Sequence, residues 1–390
     1  MEAEPYEPSA GLPKEPVMRR FLPFLLLAAC SAGAGGDAAA APQGSARPFR
    51  VQEIATFDEP WAMTFLPGTG QALITEKAGK LKLLWSDTGR VSDVAGVPQV
   101  DYGGQLGLGD VVLHPDFAHN RLVYLSWSEP GPDDTRGPVV ARARLSSGPE
   151  APRLEGLQVI WRAEKTDGRY HHSHRIAFGP DGKLFITSGE RMKFTPAQDL
   201  NSSLGKVIRL NGDGSVPADN PFASRGGAAA TVWSYGHRNL LGLAFDAQGR
   251  LWEDEMGPKG GDEVNLIEKG KNYGWPIVSN GDNYDGSPIP DHPTRPEFQA
   301  PKVWWNPSIS PSSLTIYSGS LFPKWRGSAF IGALSGRALI RVALDGSSAR
   351  KAEQWDMGER IREVEQGPDG ALYLLEDKKG GSLLKLTPAS

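Results

Sequence analysis

The sequence predicts an all-β chain closed into a six-bladed β-propeller, and three observations carry that prediction. A loose phrase recurs six times from Phe49 onward: an apolar alternation, a turn with Gly or Asp where φ is positive, and a second apolar run. The 47 Gly and 32 Pro among 390 residues favour many tight turns over long helices, and 11 Trp add to the strand-rich character. No stretch shows sustained helical periodicity with caps. Six copies over roughly 340 residues leave about 55–60 residues per blade, somewhat longer than usual. Radial sheets protect their edges without disulfides, which suits a chain with 1 Cys.

In chain order, the first segments stand outside the repeat. Residues 1–17 carry Glu2, Glu4, Glu7 and Glu15 against Lys14 alone. An acidic stretch is wrong for the start of an export signal, so translation is expected to begin at Met18. Residues 18–29 read as a signal peptide: Arg19 and Arg20, then an apolar run over residues 21–29 that is too short to span a bilayer. Leu27-Ala28-Ala29-Cys30 resembles the lipobox of bacterial lipoproteins. That implies cleavage before Cys30, acylation of its thiol, and a protein held on the periplasmic side of a bacterial membrane. An ordinary secretory signal and a soluble periplasmic product is the alternative. Residues 30–47, small and lacking core-forming side chains, read as a tether. Residues 48–390 are the propeller.

The six phrases are AMTFLPGTGQALITEKAGKLKLL from Ala62, DVVLHPDFAHNRLVYLSWS from Asp110 and RIAFGPDGKLFITSGER from Arg175, then GLAFDAQGRLWEDEMG from Gly242, LTIYSGSLFPKWRGSAFIGAL from Leu314 and REVEQGPDGALYLLED from Arg362. Further strands follow most of them: VVARARL, KVIRL, EVNLI, ALIRVAL and SLLKL. Insertions without hydrophobic rhythm cover residues 129–137, 193–202, 217–229 and 279–301. Long loops of this kind commonly build a site on one propeller face.

Charge excludes some functions. With 42 basic and 46 acidic side chains, a formal net charge of −4, the chain has no basic footprint for nucleic acid or an anionic membrane. Any membrane association is expected through the lipid anchor alone. No C-x-x-C-H haem-attachment motif occurs.

Four polar segments fall in turn regions. Tyr170-His171-His172-Ser173-His174-Arg175 holds three of the 7 His. It reads as a polar turn, a metal site with Asp167 or Glu190, or the home of a general base with a near-neutral pKa. Arg238-Asn239 sets a cation beside an amide, for a ligand or for a salt bridge between blades. In residues 255–263, EMGPKGGDE, a Gly-Pro turn can aim backbone carbonyls at one point, and Ca²⁺ takes carbonyl and carboxylate oxygens. Arg360 and Arg362, i and i+2 on a strand, share a side and suit a polycarboxylate or a solvated face.

Together these segments resemble the soluble quinoprotein glucose/sorbosone dehydrogenases, and within them the bacterial aldose sugar dehydrogenase branch. The resemblance runs from about residue 60 to 386, and is most specific in QDLNSSLGKVIRLNGDGSVPADNPF, SYGHRNLLGLAF and MGPKGGDEVNLIEKGKNYGWP. It implies oxidation of the C1 hydroxyl of an aldose to an aldonolactone, by hydride transfer to pyrroloquinoline quinone (PQQ) beside Ca²⁺. An unidentified acceptor then takes the electrons. It implies His171 as the base, four residues before Arg175, with Glu190 supporting it and Gln105 near both base and quinone. Arg238 and Asn239 match the pair at the cofactor's reacting edge. Gly257 and Pro258 match the carbonyls that hold the catalytic Ca²⁺, and Glu263 and Tyr273 a second, structural Ca²⁺ site. Arg360 and Arg362 match ligands of the cofactor carboxylates. Two positions depart: Ser308 stands where some members have Thr, and Ser335 where many have a cofactor-binding Lys. Arg337, two residues on, is expected to replace that lysine. The rivals are a Ca²⁺-dependent lactonase-type propeller and a non-catalytic propeller that binds a partner. Arg238, Arg360 and Arg362 favour the dehydrogenase over both.

Overall fold

The computed structural model describes residues 47–146 and 151–389, and its regular structure is almost entirely strand. The segments expected upstream, including the signal, Cys30 and nearly all of the tether, lie outside the described residues. β1 (Phe49–Phe57) precedes six groups. Blade one is β2 (Pro60–Phe65), β3 (Gln71–Glu76), β4 (Lys80–Trp85) and β5 (Arg90–Val94). Blade two is β6 (Leu108–Leu113), β7 (Leu122–Pro130), β8 (Arg136–Ser146) and β9 (Arg153–Arg162). Blade three is β10 (Ser173–Phe178), β11 (Leu184–Ser188), β12 (Lys206–Leu210) and β13 (Val232–Tyr235). Blade four is β14 (Leu240–Phe245), β15 (Leu251–Glu255), β16 (Asp262–Ile267) and β17 (Val303–Trp305). Blade five is β18 (Pro311–Ile316), β19 (Ala329–Ala333), β20 (Ala338–Asp345) and β21 (Ser348–Asp356). Blade six is β22 (Ile361–Gln366), β23 (Leu372–Glu376) and β24 (Gly381–Pro388), with β1 as its outer strand. β1 runs antiparallel to β24 from Phe49↔Pro388 to Phe57↔Gly381. The first strand thus closes the last sheet, which removes the edge that would otherwise be left at the seam.

The innermost strands share one burial rhythm, four buried residues and then two half-buried. In all six, the register with the second strand shifts near the start of the strand. A bulge twists the strand locally and re-aims a side chain. The residues set out of register include Trp61, Leu241 and Arg362, and all three line a cavity on the propeller axis.

Arg175 closes the axis below that cavity. Its Nε donates to Leu241 O at 2.7 Å and its Nη2 to Ser312 O at 2.6 Å. Nη1 pairs with Glu363 at 2.6 Å, and the guanidinium lies 4.0 Å over the Trp61 ring. With Asp110 of blade two 3.6 Å from Nη1, one buried side chain joins all six blades at their narrowest point. Apolar cores fill the spaces between sheets; around β1 and blade five, Trp325 stacks on Phe322 at 4.0 Å and meets Phe49 edge-on.

Two insertions differ from expectation. Residues 129–137 largely continue the β7–β8 ladder, with Glu129↔Gly137 and Pro130↔Arg136 paired. Residues 217–229 follow β12 at the end away from the cavity, where Asn220 bonds Arg209 O. Residues 193–202 and 279–301 do reach the site face, as shown below.

Candidate active site

The site face is where innermost strands begin and second strands end. An axial cavity of about 260 Å³ opens there, large enough for a small ring system rather than a single water. Trp61, Leu241, Met256 and Leu334 give it apolar surface. Gln105, Ser173, Ser310, Arg360 and Arg362 line it, together with two residues that the sequence did not single out, Lys77 and Asp377.

His171 stands beside the cavity, tied to it through Gln105, whose Oε1 accepts the His171 backbone N–H at 2.8 Å. Its Nδ1 lies 2.5 Å from Glu190 Oε1. Glu190 Oε1 and Oε2 also accept the N–H groups of Met192 and Phe194, at 2.9 and 2.6 Å. Burial, above all, lowers the His171 pKa; Arg238 adds to this, and Glu190 works against it. Burial alone would raise Glu190, but the His171 bond and the Phe194 N–H more than offset it and hold Glu190 below its ordinary value. The pair is therefore a neutral imidazole on an ionised carboxylate. Nδ1 carries the proton and Nε2 is left as the acceptor. The backbone around it is costly. His171, Ser173, His174, Arg191, Met192 and Phe194 all have positive φ, between 53° and 75°. Such residues cost about 1–3 kcal/mol each and cluster at functional sites.

The neighbouring imidazoles do other things. His172 Nδ1 faces Ser128 Oγ at 3.5 Å, inside the protein. His174 stacks on Trp61 at 5.3 Å, accepts from or donates to Ser126 Oγ at 2.9 Å, and is driven down to about 3 by burial. The three rings do not converge on a common metal position. Among the described residues, the group of metal-capable side chains close enough to share an ion is His237, Glu253 and Glu255.

Arg238 is buried next to the same loop. Nη1 donates to Met256 O at 3.0 Å and Gly257 O at 2.7 Å, and Nη2 to the Tyr284 hydroxyl at 3.0 Å. Its guanidinium lies 5.2 Å from the Trp275 ring centroid, and Phe194 stacks on Trp275 at 5.8 Å. Insertions 193–202 and 279–301 thus supply aromatic walls beside Arg238. Asn239 Oδ1 accepts from Ser173 Oγ at 3.1 Å. The Gly257 N–H donates to Asp262 at 2.9 Å, and Pro258 is buried next to it. A Cβ on Gly257 would meet Gly260 O at 2.3 Å and Gly261 O at 2.5 Å. Only glycine lets those carbonyls come so close, in a loop whose donors are oxygens.

Arg360 and Arg362 share Asp377. Arg360 donates to Asp377 Oδ2 at 2.8 and 3.0 Å; Arg362 donates from Nε to Oδ1 at 3.0 Å, with its Nη2 2.9 Å from the same oxygen. Burial pushes Asp377 up, but the two guanidinium groups win and hold it at about 2. One carboxylate therefore fixes both cations on the cavity wall. Ser335 Oγ meets Ser310 Oγ at 2.8 Å and Ser308 O at 3.4 Å, while Ser308 Oγ accepts the Gly260 N–H at 3.0 Å. Arg337 is exposed, and its Nη1 reaches Gly358 O at 3.4 Å. It is not among the residues lining the cavity, so its placement lends no support to the expected replacement of a lysine.

Glu263 and Tyr273 sit away from the cavity, in a buried acidic layer. Asn265 Nδ2 lies 3.1–3.3 Å from carboxylate oxygens of Glu253, Glu255 and Glu263. Burial, then the neighbouring carboxylates, push Glu253 and Glu263 well up. Glu253 Oε1 and Asn265 Oδ1 have no hydrogen-bond partner. The three carboxylates offer oxygens of the kind a hard cation takes, with the His237 ring 3.0 Å from Glu255 Oε1 and the Asn265 amide donating into the group. The Tyr273 hydroxyl is committed elsewhere, donating to Leu266 O at 2.6 Å, while its ring stacks on His237 at 4.5 Å.

A family model described as glucose/sorbosone dehydrogenase matches residues 57–385. The aldose sugar dehydrogenase YliI of Escherichia coli K12 is 40% identical over 339 residues, covering 85% of this chain and 90% of that relative. A crystal structure of a glucose dehydrogenase superposes with a TM-score of 0.82 at 44% identity, covering 87% of this chain and 100% of the other. The PQQ-bound form of aldose sugar dehydrogenase from Streptomyces coelicolor gives 0.72 at 29% identity, over 89% and 99% of the two chains. The fold, the order of the site segments and these matches agree, and the chain belongs to the glucose/sorbosone dehydrogenase family of quinoprotein sugar dehydrogenases.

Proposed function

We propose that the protein oxidises the C1 hydroxyl of aldoses to aldonolactones, with PQQ as its cofactor and His171 as its base. One observation carries the assignment of roles: a neutral, carboxylate-oriented imidazole stands beside a cavity with Lys77, Arg360 and Arg362 in its wall. The cations suit a polycarboxylate, and Trp61, Leu241 and Leu334 suit the faces of a ring system. The carbonyls of Gly257 and Pro258 are the groups that would hold Ca²⁺ there, and Glu253, Glu255 and Glu263 suit a second, structural ion.

When bound, the quinone supplies the acceptor for the C1 hydride, and Ca²⁺ the Lewis acid that polarises its carbonyl. The chain's own residues do the rest. His171 Nε2 takes the hydroxyl proton as the C1–H pair leaves and the C1=O bond forms. Glu190 keeps the ring in the required tautomer and stabilises the imidazolium that results. On this reading Arg238 offsets developing negative charge, and Gln105, whose Oε1 accepts the His171 N–H, fixes the His171 backbone.

The partners on this reading are an aldose and an external electron acceptor. The same reading has the protein exported and anchored through Cys30, supported by the lipobox-like run; mass spectrometry of the native N-terminus should find a diacylglyceryl Cys30. To test the activity, apo-protein is loaded with PQQ and Ca²⁺ and offered aldoses and a redox dye. Dye reduction with stoichiometric lactone is expected. Lactone opening without quinone would instead favour the lactonase-type propeller.

A further inference from the structure

We propose that Lys77 is an anion-binding residue of the axial cavity, gripping a carboxylate of the bound cofactor together with Arg362. The inference rests on the quinone reading above and adds a residue to it. Lys77 follows β3 and faces blade six across the seam that β1 closes. Its side chain is only 12% exposed, yet it lines the cavity. An ammonium has three protons to donate. One goes to Gly104 O at 3.0 Å. Glu59, the nearest carboxylate, stands at 3.7 Å, beyond hydrogen-bond reach, and also takes the Tyr102 hydroxyl.

The surroundings make this charge expensive without a ligand. Burial first, and Arg362 next, depress the Lys77 pKa, and Asp377 and Glu59 oppose them only in part. Asp377 is already divided between Arg360 and Arg362. Glu59 stands behind Lys77 and outside the lining, so the cavity wall itself has three cations against one shared carboxylate. A ligand with two or more carboxylates would supply the missing counter-charge. Blade five contributes none of these cations: Ser335 is tied to Ser310 and Ser308, and Arg337 lies on the exposed surface. The charge that a lysine at position 335 would have brought from blade five comes here from blade one.

The test measures the dissociation constant of PQQ, in excess Ca²⁺, by quenching of tryptophan fluorescence. Unmutated protein, Lys77→Met and Lys77→Arg are compared, each checked for an unchanged thermal midpoint. The trimethyl ester of PQQ serves as an uncharged control. Lys77→Met should weaken the tricarboxylate ~10- to 100-fold, the range of a lost charge-assisted hydrogen bond. It should hardly move the ester, and Lys77→Arg should recover most of the loss. Equal weakening of acid and ester would overturn the proposal, because it would mean that Lys77 only positions Gly104 and Gln105. An unchanged constant for the acid would overturn it while leaving the quinone reading intact. Failure of unmutated protein to bind either form would overturn the quinone reading and the Lys77 assignment together.

Discussion

His171 Nδ1 and Glu190 Oε1 are 2.5 Å apart and buried, so the imidazole is held in one tautomer with Nε2 as its only free acceptor. His171→Ala should therefore cut turnover ~10²–10⁴-fold and leave the PQQ dissociation constant nearly unchanged. His172→Ala should be close to silent in turnover, because its ring faces Ser128. The pair also sets a pH dependence. The base works only when neutral, and its pKa is lowered from 6.5. The acid limb of kcat/KM should thus lie below pH 6.5. Glu190→Gln removes a contact that raises the His171 pKa, so the limb should move further down while the plateau falls. A limb above 6.5, or one that rises in Glu190→Gln, contradicts the assignment.

Arg175→Met should destabilise the fold. The variant removes the partner of Glu363 and of Asp110, both carboxylates that burial already pushes up. Breaking a buried pair from one side typically costs about 3–5 kcal/mol. Urea unfolding would read this as a lower midpoint. A change of less than about 1 kcal/mol would mean that the axial tie contributes little beyond what a surface ion pair does.

Asp377→Asn separates two effects on the cavity wall. The two guanidinium groups hold Asp377 at about 2 against the push of burial, below its ordinary 3.8. A depressed carboxylate stabilises the fold fully above pH ~4, by up to about 2 kcal/mol, and that contribution fades as pH falls from ~4 through ~2. Urea midpoints measured between pH 5 and 2.5 should fall less steeply in Asp377→Asn. The variant also leaves Arg360 and Arg362 without a counter-ion. Its thermal midpoint should be lower without PQQ and should rise more than that of unmutated protein when PQQ is added. Equal rises in both would deny Asp377 its role in organising the two guanidinium groups.

The acidic layer of Glu253, Glu255 and Glu263 predicts a calcium effect on stability that is separate from catalysis. Ca²⁺ should raise the thermal midpoint and a chelator should reverse the rise. Glu263→Gln should shrink that response. A midpoint indifferent to Ca²⁺ in unmutated protein would remove the structural ion from the account.

How much of this is written locally in the chain differs from residue to residue. The six inner strands were legible because each is a short apolar run with a Gly- or Asp-bearing turn, and those signals act over a few residues. His171 was singled out by the family resemblance, which places the base four residues before Arg175. Arg360 and Arg362 were paired by strand alternation, yet Arg360 precedes β22 and Arg362 sits at its bulge, and a shared Asp377 is what brings them together. Lys77 and Asp377 were not, because their roles exist only once the ring closes. They are 300 positions apart, and β1 on β24 makes blades one and six neighbours. Trp61 and Leu241 reach the cavity through bulges, which strand alternation does not reveal. Arg337 shows the same limit in reverse. A regular strand would give it the same side as Ser335, but β19 ends at Ala333 and Arg337 has a φ of +46° in the turn that follows.

The account rests most directly on electron transfer from an aldose that depends on His171. Protein loaded with PQQ and Ca²⁺ should be mixed with an aldose without oxygen, and the quinone absorbance followed in a stopped-flow instrument. The account predicts rapid conversion to the reduced spectrum in unmutated protein, and in His171→Ala a bound, oxidised cofactor that changes ~10²–10⁴-fold more slowly. A cofactor that binds but is reduced by no aldose, or is reduced equally fast in His171→Ala, would contradict it.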